Sequence, residues 1–304
     1  MRDKLYLAGF LLTAGLLLYV GRGLLERSAL VASVLVFIGT TAAGVLGLAL
    51  YQVQNRLRAS RRELAQREAE LSFAREVQVA LFPPRFPKDS GLEFSAVCVP
   101  AAGISGDYYD ILQLSDGRLA FAVADVSGKG IPAAILMSNL HASLHILVDA
   151  GHSPADLCAQ LNRHLSRFTE AYRFATLFYA EWNATERRLT YVNAGHAEPF
   201  LVGSNGSSRL ATGGLPIGLF PDSEFRAATI VLAPGDLVVL YSDGITEAGV
   251  LEAEPFGEER LEAVVQTHRR RPLTEIEREV LEAVQRWSGK EPEDDMTLLL
   301  VRAT

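Results

Sequence analysis

Two uncharged stretches near the amino terminus constrain this chain more than any other feature: residues 5–20 carry no charge over 16 positions, and residues 28–51 none over 24. A bilayer core of about 30 Å is crossed by roughly 17–25 helical residues, so the second stretch spans it comfortably. The first spans it if residues 21–25 extend the helix and Arg22 reaches back to the interface. A cleavable leader would explain the first stretch as well, but Gly21-Arg22-Gly23 is a poor substitute for the small-x-small site that should follow it. Two membrane helices are therefore predicted over residues 1–51. Positive charge near helix ends sets their orientation. Arg56, Arg58, Arg61, Arg62 and Arg67 follow the second stretch, and Arg2 and Lys4 precede the first, whereas the short loop between them offers Arg22 and Arg27 beside Glu26. The amino terminus and everything after the second helix are expected on the cytoplasmic side.

Residues 52–82 read as a helical linker, charged and free of Gly and Pro until Pro83-Pro84, which cannot continue a helix. Leu57, Leu64 and Leu71 repeat every seven residues, while the companion seam of Val53, Ser60, Arg67, Ala74 and Leu81 is weak. That pattern suits a short parallel coiled coil, hence a homodimer, or a single helix lying on the following domain or the membrane surface. Residues 1–82 hold ten basic and six acidic side chains, a balance of +4, which leaves −11 of the net −7 for residues 83–304. So acidic a domain argues against nucleic acid as a partner, because phosphate backbones are held by clustered Lys and Arg. Two cysteines, Cys98 and Cys158, exclude a disulfide framework.

Beyond Pro84 the pattern changes to short apolar or alternating runs separated by Gly, Asp and Pro. Strands are predicted at 92–99, 108–114, 119–126, 175–182, 188–193, 199–202, 229–232, 236–242 and 296–302, and helices at 131–150, 154–170, 258–268 and 274–287. Hairpin-linked strands with inserted helix pairs predict an α+β domain over 83–304, a mostly antiparallel β-sandwich flanked by helices.

Four acidic clusters fall at the ends of predicted strands: Ser105-Gly106-Asp107-Tyr108-Tyr109-Asp110, Asp125-Val126-Ser127-Gly128-Lys129-Gly130, Ser242-Asp243-Gly244-Ile245-Thr246-Glu247 and Asp294-Asp295-Met296-Thr297. One Asp-Gly after a strand is most often a turn. Four such clusters, with no cysteine cluster nearby, favour a hard-cation site, since Mg²⁺ and Mn²⁺ prefer carboxylate, carbonyl and water ligands.

These segments, with the linker pattern Gln78-x-x-Leu81-x-Pro83, Pro132-Ala133-Ala134, Asn193-Ala194-Gly195-His196 and Pro216-Ile217-Gly218, make residues 74–304 resemble the metal-dependent protein phosphatase (PPM) superfamily, in its bacterial branch typified by SpoIIE and RsbU. The resemblance implies two divalent cations, Mn²⁺ or Mg²⁺, whose shared water attacks a phosphoserine or phosphothreonine. It implies that Asp125 bridges both ions, that the Val126 carbonyl adds a ligand, that Asp243 and Asp294 each hold an ion, and that Asp107 binds directly or through water. Asp125 and Asp243 are thereby the catalytic pair. Asp295, where the superfamily often has Asn, either ligates or supports Asp294. Asp110 either ligates or caps the turn before its strand. Ser105 replaces a common glycine and brings a hydroxyl to the site. The resemblance further implies a phosphorylated STAS-type anti-sigma factor antagonist as substrate, a bacterial cytoplasmic membrane location, and signalling through the linker helix.

Other candidates weigh less. His141 and His145 have the i, i+4 spacing of a zinc pair on an otherwise apolar helix, where packing or partial exposure is the commoner outcome. His196 either orders its loop or serves as a general acid. Lys129 either steers phosphate or faces solvent, and Arg269-Arg270-Arg271 reads as a solvated run or a membrane contact. Asn183-Ala184-Thr185 matches a glycosylation pattern in a domain expected in the cytoplasm. A catalytically quiet phosphatase-fold module and a nucleotide cyclase are the rival functions; against the cyclase, this chain contains neither a Gly-Gly-Asp-Glu-Phe segment nor a P-loop.

Overall fold

The computed structural model describes residues 12–22, 29–101, 103–168, 173–204, 206–249, 254–289 and 292–304. The chain divides into two units, Met1–Glu70 and Leu71–Thr304.

In the first unit, α1 (Leu12–Arg22) covers part of the first apolar stretch. The predicted start of that helix before residue 12 and the loop at 23–28 lie outside the described residues. The second apolar stretch begins α2 (Ala29–Val79), which is long and apolar enough to cross a membrane and continues without a break into the predicted linker. A linker starting at 52 therefore has no break in secondary structure at its start. Pro83 and Pro84 end α2 as expected, and its last carbonyls are taken up by a tightening turn in which the Leu81 amide donates to Gln78 O at 2.9 Å.

The second unit is a four-layer sandwich. One sheet has the order β1 (Leu92–Val99), β11 (Met296–Ala303), β10 (Leu237–Tyr241), β6 (Phe200–Gly203), β7 (Gly206–Arg209). The other runs β2 (Tyr108–Gln113), β3 (Leu119–Val126), β4 (Ala175–Asn183), β5 (Arg188–Ala194), β8 (Gly213–Gly214), with β9 (Ala228–Val231) also paired to β5. Every pairing is antiparallel except β5 with β8. Helices α3 (Ile131–Val148) and α4 (Pro154–Phe168) cover the outer face of the second sheet. Helices α6 (Gly257–His268) and α7 (Leu273–Ser288) cover that of the first.

Strand periodicity builds these layers. Along β3, Leu119, Phe121 and Val123 enter the core between the sheets, while Ala120, Ala122, Ala124 and Val126 face the α3/α4 layer. Both faces are covered, so β3 is buried along almost its whole length. The alanine face lets α3 pack close with Ala133, Met137, Leu140 and Leu144, spaced for one helix face. α3 is also long and apolar enough for a membrane, but this buried stripe makes it a core helix. Along β11, Leu299, Val301 and Ala303 face the inter-sheet core and Met296, Leu298 and Leu300 face α6 and α7. Full burial of each such Leu contributes about 1.5–3 kcal/mol.

The predicted α+β, mostly antiparallel sandwich is what forms. Strand and helix bounds agree within about two residues; the predicted end of α4 at 169–170 lies outside the described residues. The short glycine-bearing β7 and β8 and the one-turn α5 (Asp243–Thr246) were not expected, being too brief to show a period. α4 starts as predicted: Ser153 Oγ accepts the Asp156 amide at 3.2 Å and Pro154 occupies its first position.

Candidate metal centre

The acidic clusters meet at one end of the sandwich, two from each sheet. Asp107 immediately precedes β2 and Asp125 closes β3, while Asp243 follows β10 and Asp294 precedes β11. Glycines make this convergence sterically possible. A Cβ on Gly244 would lie 2.1 Å from Asp295 O, so only glycine lets the Asp243 turn sit against the Asp294-Asp295 segment. A Cβ on Gly106 would lie 3.1 Å from Val126 O, so Gly106 leaves that carbonyl uncrowded beside Asp107.

Electrostatics register the crowding. Burial first, then the Asp125 charge, hold the Asp107 carboxyl well above the ordinary carboxylate range. Asp125 is pushed up to about 7, chiefly by burial and then by Asp243 and Asp294. Asp243 is raised by burial and by Asp294. Asp107 is 1% exposed, and among the described residues its Oδ2 meets no hydrogen-bond partner. A buried carboxylate oxygen without a donor, among acids that raise one another, fits hard divalent cations: such ions remove both costs at once. A cysteine nucleophile does not fit, since burial pushes the Cys98 thiol beside Ser105 up to about 11.

Neighbouring residues hold the acids in place. Ser105 Oγ accepts the Asp107 amide at 3.0 Å, and Ser105 itself is gripped by Gln78, whose Nε2 donates to Ser105 O at 2.7 Å. Ser242 Oγ donates to Asp295 O at 3.1 Å and accepts the Thr297 amide at 2.9 Å, fastening the two strand ends of the first sheet. Both oxygens of Asp295 receive backbone amides, from Ala101 at 2.8 Å and Gly106 at 2.7 Å. Lys129 faces solvent, with its side chain 62% exposed, and its Nζ lies 2.7 Å from Asp294 Oδ2. An apolar cleft of about 500 Å³ adjoins the centre, bounded in part by Lys129, Gly244, Leu281, Asp294 and Met296.

Several candidates stand apart. Asp110 does not cap the turn before its strand and does not join the other acids. It sits inside β2, 3% exposed, accepting hydrogen bonds from Tyr108 Oη at 2.5 Å and sharing a 2.7 Å contact with His145 Nε2. The strand alternates, so Asp110 shares the α3-facing side with Tyr108 and not the site end. His196 orders its loop: its amide donates to Asn193 Oδ1 at 2.8 Å, its Nδ1 meets Thr176 Oγ1 at 2.8 Å, and burial pushes it down to about 4. Arg269 donates to Gly203 O and Arg271 pairs with Glu275 and Glu279, so these two serve the domain itself. Asn183 Oδ1 accepts the Thr185 and Glu186 amides in a tight turn. Reading the sequence missed the structural part of Gln78, although the pattern Gln78-x-x-Leu81-x-Pro83 contained its signal.

The family model of stage II sporulation protein E (SpoIIE) matches residues 115–304. The chain is 31% identical over 258 residues to the phosphoserine phosphatase RsbU of Bacillus subtilis (strain 168), covering 83% of this chain and 74% of that one. Among solved structures, the RsbU and RsbW domains of a Mycobacterium tuberculosis protein align with a TM-score of 0.62 at 27% identity, over 69% of this chain and 59% of that one. The SiaA-PP2C domain of Pseudomonas aeruginosa aligns with a TM-score of 0.70 at 22% identity, over 78% and 98%, and so shares the fold.

Proposed function

The chain belongs to the SpoIIE family of serine/threonine phosphatases, and from that premise we propose that it is a membrane-anchored enzyme dephosphorylating a STAS-type anti-sigma factor antagonist in the bacterial cytoplasm. The observation that carries the catalytic part is the convergence of four carboxylates around the unpartnered Asp107 Oδ2. In this reading Asp107, Asp125, Asp243, Asp294 and the Val126 carbonyl hold two divalent cations, Mn²⁺ or Mg²⁺. Such ions, when bound, supply a water acidic enough to act as nucleophile near neutral pH and offset charge on the phosphoryl oxygens.

The chain's own residues do the rest. Asp125, contributed by one sheet, and Asp243, contributed by the other, are the catalytic pair that positions this chemistry between the sheets. Asp295 is a positioning residue here: with the Ala101 and Gly106 amides on its two oxygens, it holds the loop that carries Asp107. The adjoining apolar cleft offers the substrate protein a surface beside the centre.

Anchoring follows from the two apolar segments, with domains assigned as 1–51 for the membrane, 52–82 for the linker and 83–304 for catalysis. The arginines after residue 55 keep the catalytic domain cytoplasmic. Leu57 and Leu64, 54% and 55% exposed, support a homodimer through α2, since a seven-residue leucine repeat left in water invites a partner helix. The substrate class rests on family resemblance and on the RsbU–RsbW pairing named in the mycobacterial relative.

The decisive experiment is hydrolysis of p-nitrophenyl phosphate by the full-length protein in detergent, with and without Mn²⁺, beside Asp125→Asn. Turnover that needs the ion and disappears in the variant is expected; equal, metal-independent rates in both would overturn the catalytic assignment. Release of phosphate from a phosphoserine STAS-domain protein no faster than from an unrelated phosphopeptide would overturn the substrate.

A further inference from the structure

Asp110 is an unusual residue for its place. It lies in the middle of β2 opposite Ala122 of β3, between Tyr108 and Leu112 on the face that packs against α3. A carboxylate buried there carries a desolvation cost of several kcal/mol unless well paired. The ion-pair partner that the described residues offer it is His145, whose side chain is 43% exposed.

The helix across from it supplies a second imidazole. His141 and His145 lie one turn apart on the same face of α3, their ring centroids 4.2 Å apart. One ligand atom from each histidine and one carboxylate oxygen of Asp110 all lie within 4.8 Å of one another. The Tyr108 hydroxyl donates to Asp110 Oδ2 at 2.5 Å and the Ile111 amide to Oδ1 at 2.7 Å, which fixes the carboxylate as outer partners fix a metal-ligating one. The Tyr108 ring also meets His141 edge-on at 5.7 Å, limiting how that imidazole turns.

We propose that Asp110, His141 and His145 form a second metal site, separate from the phosphatase centre and selective for Zn²⁺ or a similar imidazole-preferring transition-metal ion. Two histidines, one carboxylate and a water at the exposed His145 side complete a tetrahedron. Imidazole ligands separate this site chemically from the all-oxygen catalytic centre, which favours Mg²⁺ or Mn²⁺. The His145 Nε2 to Asp110 Oδ2 separation of 2.7 Å is a hydrogen bond. A tetrahedral ion with bonds of about 2.0–2.1 Å opens it to roughly 3.3 Å, a shift the half-exposed His145 ring makes by rotation.

The site has a structural consequence. α3 begins just beyond the Asp125-to-Gly130 loop, and β2 begins just after Asp107. An ion shared by α3 and β2 therefore clamps together the two elements that lead away from catalytic carboxylates. This proposal goes beyond the phosphatase assignment and does not depend on it, because no residue is common to the two sites.

The test uses full-length protein in detergent, purified without a polyhistidine tag, in an Asp125→Asn/Asp243→Asn background that removes the catalytic centre. Co²⁺ serves as the spectroscopic probe and Zn²⁺ as the stabilising ion. The expected result is a visible d–d absorption with Co²⁺ and a Zn²⁺-dependent rise in Tm, both lost when His141→Gln and His145→Gln are added, with Zn²⁺ affinity weakened about tenfold or more. Circular dichroism of the metal-free glutamine variant, whose substitutions lie at partly exposed positions, reports that it is folded; Asp110→Asn is a second, independent loss-of-ligand variant. An absent Co²⁺ band in the double-Asn protein, or a band and Tm rise unchanged by the histidine and Asp110 substitutions, would overturn the site.

Discussion

The Gln78 side-chain amide takes up both backbone groups of Ser105: Nε2 donates to the Ser105 carbonyl at 2.7 Å, and Oε1 accepts its amide at 2.9 Å. Gln78 is 5% exposed and lies in the last turn of α2; Ser105 is fully buried and positions Asp107 through its hydroxyl. The end of α2 and the loop that carries Asp107 are thus joined by two buried hydrogen bonds between residues 27 positions apart. Phe82, just beyond the helix, adds a ring contact to Tyr109 at 4.9 Å between centroids. Hydrogen bonds thus run from this helix end through Ser105 to the Asp107 amide.

Gln78→Ala therefore weakens metal binding more than it alters the chemistry. Two backbone groups of Ser105 lose their buried partners, at about 1–3 kcal/mol each. Denaturant unfolding should report that loss, and an Mn²⁺ titration of activity should show a higher half-saturation with a smaller change in kcat. An unchanged Mn²⁺ requirement would mean that Gln78 does not control the loop.

Gly244→Ala is expected to abolish activity. The added methyl would meet Asp295 O at 2.1 Å, too close to be absorbed by a side-chain rotation because the obstacle is backbone. Overpacking of this kind costs about 1–3 kcal/mol or more, and relief of the clash pushes Asp243 away from Asp294. Isothermal titration with Mn²⁺ should show the loss of at least one ion; full stoichiometry with normal activity would refute it.

Mn²⁺ affinity should rise with pH and level off above about 7, because the ion displaces the proton that burial and the Asp243 and Asp294 charges keep on Asp125. In chelator the same shift acts on stability. The folded state holds this proton more tightly than the unfolded chain does, so the metal-free fold loses stability as pH rises from the ordinary carboxylate range through about 7. Urea unfolding in chelator at pH 5 and pH 8, repeated with Asp125→Asn, checks this. The variant should flatten the dependence, and a wild-type protein more stable at pH 8 than at pH 5 would contradict the assignment.

Replacing Leu64 and Leu71 with glutamate should break dimers in detergent, as read by light scattering, and alter the basal rate while leaving Mn²⁺ stoichiometry intact. Burial of a leucine seam drives such pairing, and charge at both positions removes it. If mass and rate both stay at wild-type values, the linker does not signal through association.

The strands of the sandwich were legible because period-two patterning is local: β1 and β3 have the bounds their alternation predicted, and the alanine face of β3 marks where a helix can approach. The acidic motifs were legible for the same reason, each being a short run of Asp with Gly or a hydroxyl residue at a strand end. Their grouping into one centre depends on two sheets stacking, which brings Asp125 against residues more than a hundred positions away. Asp295 shows the limit. Its residue type admits ligation or support, and only the fold shows the Ala101 and Gly106 amides on its two oxygens. Gln78 with Ser105, Lys129 with Asp294 and Asp110 with His145 are likewise decided by tertiary structure. Local sequence sets backbone periodicity and the chemistry of each side chain, whereas the partner of a polar group is whichever atom the packed layers bring within about 3 Å of it.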